Sequence, residues 1–181
     1  MKENRGLKTN RIRLVDLTED DLAVYREWFL ESDPSRQTCR PLGDLSLEGM
    51  IDRFHERSVS DTARDFAVQR VDDNRFMGRV TYFDLNIRNR AVEIGFLIGP
   101  IFRRQGYAQE AVILLLDHLF NELDLNKVMA QTGEFNIAAI SLLKKLRFKQ
   151  DGRLRRHHRL GDVYHDSLIF SFLFEEFRAV S

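Results

Sequence analysis

The chain has 181 residues, 28 Lys plus Arg against 28 Asp plus Glu, 43% hydrophobic residues and one cysteine. That is one domain's worth of chain at about 100–200 residues per domain, long enough to bury roughly 70% of its unfolded surface without a metal or disulfide staple. Zero net charge argues against a nucleic-acid binder held by bulk charge, and Cys39 alone excludes a disulfide framework or a multi-Cys metal site.

Residues 1–8 read as a loose polar lead-in, with no apolar segment that would make a secretory signal. No window approaches the ~20 apolar residues of a membrane span, so the expectation is a cytoplasmic protein with residues 1–181 as one domain. Residues 11–15 (RIRLV) predict a first strand. Thr18 then caps a helix whose first turn is acidic, which suits the positive end of its dipole. Asp33-Pro34 ends that helix, because Pro removes a donor and biases its predecessor away from the α region. A second helix is predicted from Ser46, with Leu47, Met50, Ile51 and Phe54 on one side.

Three strand patterns follow: one from Phe66, one from Met77 to Phe83 and one over residues 91–98, closed by Gly99-Pro100. From Ala108 the apolar positions Ala111, Val112, Leu115, Leu119, Phe120 and Leu123 mark a long amphipathic helix. Residues 127–132 predict a strand and 138–146 a helix. The tail from Phe148 to Phe174 predicts two strands turning at Leu160-Gly161-Asp162. The order β-α-α-β-β-β-α-β-α-β-β implies antiparallel pairing early and some parallel pairing late, which is a mixed α/β, or α+β, domain.

The segment most informative about function is residues 98–108, Ile-Gly-Pro-Ile-Phe-Arg-Arg-Gln-Gly-Tyr-Ala, between a strand and the long helix. A helix N-terminus offers unpaired N–H groups and a partial positive charge to a phosphate. Gly106 and Ala108 admit a close ligand, and Arg103 and Arg104 add charge beside the opening. No P-loop spelling and no Rossmann glycine fingerprint is present. An ordinary strand–turn–helix link would have the same residues, so context has to decide.

That context is a resemblance. Arg103-Arg104-Gln105-Gly106-Tyr107-Ala108 resembles the [RQ]-x-x-G-x-[GA] motif of the GNAT superfamily of acetyltransferases. Residues 136–148, an Asn opening a helix that ends in Leu-Arg-Phe, resemble its second signature, and residues 161–166 its last hairpin. The nearest subgroup by this resemblance is the ribosomal-protein N-terminal acetyltransferases and their relatives. The implied fold is a single central mixed, largely antiparallel sheet flanked by helices. The implied reaction is acetyl transfer from acetyl-CoA, with no metal, directly to an amine in a ternary complex. The N–H groups of Arg104, Gly106 and Ala108 and the Arg103 side chain would hold the pyrophosphate, with Gln105 and Tyr107 completing the loop. Phe96, Leu97 and Ile98 would pair their backbone with the pantetheine arm, and Asn136 would bond it from the other side.

Direct transfer needs a neutral amine, a polarised carbonyl and a proton for the leaving thiolate. Glu93 is the candidate base, since alternation puts it on one strand face with Ala91, Gly95 and Leu97; a solvated or ion-paired strand Glu has the same pattern. Asp84 is a second candidate. Where many members of the family have a Tyr seven positions after the Asn, this chain has Leu143, which leaves Ser141 as the polar group on that helix, and Arg147 replaces a Gly. Cys39 reads as a small packed residue, and the five histidines lack zinc spacing.

The basic run at residues 153–159 reads as a solvated hairpin, or as an acceptor wall that attracts an acidic substrate. The expected acceptor is a protein N-terminus or a small amine, with no nucleic-acid or membrane partner and a monomer or homodimer. A non-catalytic acyl-CoA-binding module is the alternative.

Overall fold

The computed structural model describes residues 7–179, so residues 1–6 of the expected lead-in lie outside the described residues. Seven strands form one sheet: β1 Ile12–Asp16, β2 Arg64–Arg70, β3 Phe76–Asn86, β4 Ala91–Ile98, β5 Lys127–Gly133, β6 Lys149–Leu160 and β7 Val163–Leu173. Their order is β1-β2-β3-β4-β5-β7-β6. Every pair is antiparallel except β4–β5, which is parallel and is joined through a helical crossover. The mixed, largely antiparallel sheet of the sequence reading is therefore present.

The helices are α1 Glu19–Glu31, α2 Pro34–Gln37, α3 Leu47–Ser58, α4 Tyr107–Asp117, α5 Ile137–Lys145 and α6 Phe174–Arg178. At the α1 entrance the Asp21 carboxylate accepts from the N–H of Thr18 at 3.1 Å. α2 and α6 were not anticipated; at four and five residues they are too short for a periodic pattern.

Helices cover both faces of the sheet. α1 and α3 bring Tyr25 and Met50 onto Leu97, whereas Val92, Ile94 and Ile98 pack in the main core with Ala111, Val112 and Leu115 of α4. The alternation expected along β4 therefore holds. The long helix changes at its end into one π-helical turn, His118–Glu122. There His118 is buried with its Nδ1 2.8 Å from Glu122, and its Nε2 has no hydrogen-bond partner among the described residues.

Leu7 corrects the loose lead-in: it is 1% exposed, and its carbonyl accepts from the N–H of Leu14 at 2.8 Å.

Asp65 of β2 is almost wholly buried among the sheet and the α1 and α3 layer. It takes Arg57 Nε at 2.8 Å and Arg79 Nε at 3.0 Å, and Arg57 also reaches the Thr81 hydroxyl at 2.7 Å. Burial alone would push this carboxyl up. The charges of Arg79 and Arg57, with their hydrogen bonds, more than offset it and hold the group well below the usual carboxylate range.

Candidate active site

β4 and β5 pair only from Ala91↔Lys127 to Glu93↔Met129. Beyond that point the strands part, and alternate backbone groups of residues 94–98 and 130–132 face the gap with no ladder partner across it. A cleft of about 650 Å³ occupies the split. One wall is residues 94–98 of β4; the other is Ala130, Gln131 and Thr132 of β5 with Ala138, Ala139, Leu142 and Leu143 of α5. A slot with an apolar lining and unpaired strand edges suits an extended chain that carries amides, added between the strands as a further strand would be.

The mouth of the cleft is residues 103–108. Arg104 and Gly106 both have left-handed backbone, φ 62° and 86°, so successive N–H groups can converge as an anion-binding nest. α4 opens at Tyr107, and the N–H groups of its first turn lack intrahelical acceptors. Gly106 and Ala108, the residues expected to admit a close ligand, both sit at this turn.

Arg11 fixes the cradle from outside, and sequence reasoning missed it. Its Nε donates to Glu110 at 2.8 Å, its Nη1 donates to the Gln105 carbonyl at 3.2 Å, and its guanidinium lies 4.7 Å from the Tyr107 ring centre. A Cβ added at Gly106 would come within 3.3 Å of that guanidinium.

The other expected donor-site residues are distributed less uniformly. Phe96, Leu97, Ile98, Arg103, Arg104, Tyr107 and Ala108 line the cleft, and Gln105 does not. Gln105 folds back, its Nε2 donating to the Ile101 carbonyl at 3.1 Å. Arg103 is partly committed, with Nε to the Ile98 carbonyl at 3.0 Å and Nη2 to the Ser32 hydroxyl at 2.6 Å, which straps the loop to the end of α1. Asn136 lines the cleft and caps α5, its Oδ1 accepting from the Ala139 N–H at 3.2 Å; its amide NH₂ is the half suited to a ligand carbonyl.

Ser141, the candidate acid, is exposed on α5 and does not line the cleft; Leu142 and Leu143 do. Arg147, in place of the expected Gly, adopts φ 66° just past α5. The Phe148 N–H reaches back to the Leu143 carbonyl and the Arg147 N–H to the Lys144 carbonyl, so the helix ends as a glycine would end it.

The closed end of the cleft borders a second, charged region. Glu93 stands at the last position of β4 that pairs with β5, and opposite Phe83 of β3. Arg40, from the segment between α2 and α3, donates to Glu93 at 3.1 Å and also to Asp84, and lies 4.3 Å from the Phe83 ring centre. Burial pushes the Glu93 carboxyl up, and Arg40 pulls it part of the way back. Cys39 arrives with Arg40, its sulfur 3.5 Å from the Ser167 hydroxyl; burial pushes its thiol up. Within the basic run, Arg153 pairs with Glu134 and Asp166, and Arg159 with Asp162. Arg155 and Arg156 are exposed, as the solvated reading expected, whereas His158 is buried with its Nε2 2.6 Å from the Ser35 carbonyl.

The model of the acetyltransferase (GNAT) domain family matches residues 11–149 of this chain, a stretch that includes both strands of the split and the loop at its mouth. The chain belongs to the GNAT acetyltransferases. It is 28% identical over 169 residues to an uncharacterized N-acetyltransferase of Bacillus licheniformis, covering 90% of this chain and 95% of that one. It is 25% identical over 164 residues to the spermidine N(1)-acetyltransferase of Escherichia coli, covering 91% and 81%. Its fold matches the crystal structure of a Vibrio cholerae spermidine N-acetyltransferase in complex with CoA and spermine, with a TM-score of 0.85, 19% identity and coverage of 94% and 99%. These named acceptors are polyamines, whereas the sequence reading leaned toward a ribosomal-protein subgroup. As a GNAT N-acetyltransferase the protein uses acetyl-CoA, and the cleft has the apolar walls, free strand edges and N–H cradle that this donor needs. Among the described residues there is no cluster of three or more His, Cys, Asp or Glu that could hold a metal, and no helix is long and apolar enough to cross a membrane.

Proposed function

We propose that residues 1–181 form one acetyltransferase domain that moves the acetyl group of acetyl-CoA directly to a primary amine of a small polycationic acceptor of the polyamine class. The observation that carries this reading is the pair of carboxylates, Asp84 and Glu93, meeting on one cation where the cleft closes. Relatives named for spermidine acetylation support it.

Acetyl-CoA supplies a thioester whose carbonyl carbon accepts the amine's lone pair. Residues Arg103, Arg104, Gly106, Tyr107 and Ala108 with Asn136 would hold the donor, and residues 94–98 would line its arm and acyl end, next in the chain to Glu93. Glu93 takes a proton from the incoming ammonium, directly or through water, at a carboxylate whose raised pKa suits a base. A free backbone N–H of β4 can polarise the thioester carbonyl. As the C–S bond breaks, the new amide nitrogen gives up its surplus proton to solvent, and with Ser141 outside the cleft and Leu143 buried in its wall the leaving thiolate takes its proton from solvent too.

A panel of spermidine, putrescine, an amino sugar and a peptide with a free N-terminus, followed by release of the CoA thiol, tests the acceptor class. The expected kcat/KM for spermidine exceeds that for the peptide at least about tenfold, or 1.4 kcal/mol in transition-state binding. A preference for the peptide would return the protein to the N-terminal acetyltransferases.

A further inference from the structure

We propose that Arg40 is an intramolecular stand-in for the acceptor's cation: it fills a subsite made by Asp84, Glu93 and the Phe83 ring, and a charged amine must displace it before Glu93 can act. This rests on the acceptor class proposed above. The subsite is an outcome of local backbone geometry. In a regular strand, Phe83 and Asp84 would point to opposite faces of β3. Here the register with β4 breaks between Phe83 and Asn86, and Asp84 has left-handed backbone, φ 56°. Asp tolerates that conformation better than most side chains. The bulge brings the Asp84 carboxylate and the Phe83 ring to the same guanidinium that meets Glu93. Two carboxylates and an aromatic face suit a cation, here a partly solvated one, since the Asp84 side chain is 63% exposed.

Arg40 fits the part of a removable occupant. It comes from residues 38–46, which form no helix or strand, and its side chain is 46% exposed. Two carboxylates against one guanidinium leave the subsite with a net negative charge. A second cation, Arg57, lies 5.9 Å from the Phe83 ring centre, but its guanidinium is committed to Asp65 and Thr81. While Arg40 stays, Glu93 accepts a hydrogen bond from a permanent cation and is a poor base. Its replacement by an ammonium held by Asp84 and the Phe83 ring, one short methylene chain from the reacting amine, would seat the acceptor and leave Glu93 to that amine in a single exchange. A monoamine removes Arg40 without replacing its charge beside Asp84.

The test uses Arg40→Ala, and Arg40→Gln, which keeps part of the stem over Phe83. Each is titrated calorimetrically, alongside wild type and with saturating CoA, with methylguanidinium and separately with spermidine. Thermal unfolding selects the variant that retains its fold. The decisive expectation is that millimolar methylguanidinium binds the variant and not the wild type; spermidine should bind the variant about tenfold or more tightly than wild type. Absence of methylguanidinium binding to the folded variant, or equal binding to wild type, overturns the stand-in. If methylguanidinium binds only the variant while spermidine binds neither protein, the stand-in holds and the polyamine acceptor falls.

Discussion

Glu93→Gln is expected to lower kcat by about 10²–10⁴-fold, the usual worth of a positioned general base, while acetyl-CoA affinity stays unchanged. Gln keeps the shape of the side chain and a hydrogen bond to its surroundings but cannot take a proton. Because burial raises the Glu93 carboxyl above its ordinary value of about 4.3, wild-type kcat/KM should climb with pH on a limb displaced upward from that value. The group works deprotonated, so activity is lost as pH falls through the raised pKa. In the Gln variant that limb should vanish. A variant with kcat within threefold of wild type and the same acid limb would show that Glu93 is only the ion-pair partner of Arg40.

The second large effect is on stability. Removing the Asp65 carboxylate by Asp65→Ala leaves Arg57 and Arg79 facing each other without their anion. Breaking a buried ion pair from one side costs about 3–5 kcal/mol. The lower part of that range applies, because the two arginine side chains keep 28% and 21% exposure and reach some water. Denaturant unfolding should show the loss as a lower midpoint at an unchanged slope. The folded-state pKa of Asp65 is depressed, so its contribution is complete above the unfolded Asp value of about 3.9 and fades as pH falls through the lower folded value. The acid-unfolding curve of the variant should therefore converge on that of wild type at low pH. A midpoint shift below about 1 kcal/mol at neutral pH would mean the arginines find other partners.

What the sequence shows of this site follows the range of the interactions. Helix starts, strand alternation and the loop from Arg103 to Ala108 are local patterns, and the structure places them where they were expected: Gly106 with positive φ, Glu93 sharing a β4 face with Leu97, Asn136 capping α5. The Arg40–Asp84–Glu93 group joins residues 44 and 53 positions apart, and the Arg11–Glu110 strap spans 99. No periodicity reports such pairs, and a lone Arg in a loop reads as solvated. Ser141 failed for a local reason: on α5 the cleft side belongs to Ala138, Ala139, Leu142 and Leu143, and Ser141 is rotated away from it. Leu7 was lost to its polar neighbours, since one apolar residue gives no pattern even when its backbone joins β1.

The central claim is that the split between β4 and β5 holds acetyl-CoA with its phosphates on the loop before α4. Calorimetric titration of the protein with acetyl-CoA, beside Gly106→Val, tests it most directly. The Val side chain would strain a backbone at φ 86° and approach the Arg11 guanidinium. Wild type should show one saturable site, and the variant at least about tenfold weaker binding, 1.4 kcal/mol or more. Saturable binding of equal strength in both proteins, or no heat at millimolar acetyl-CoA, would contradict it.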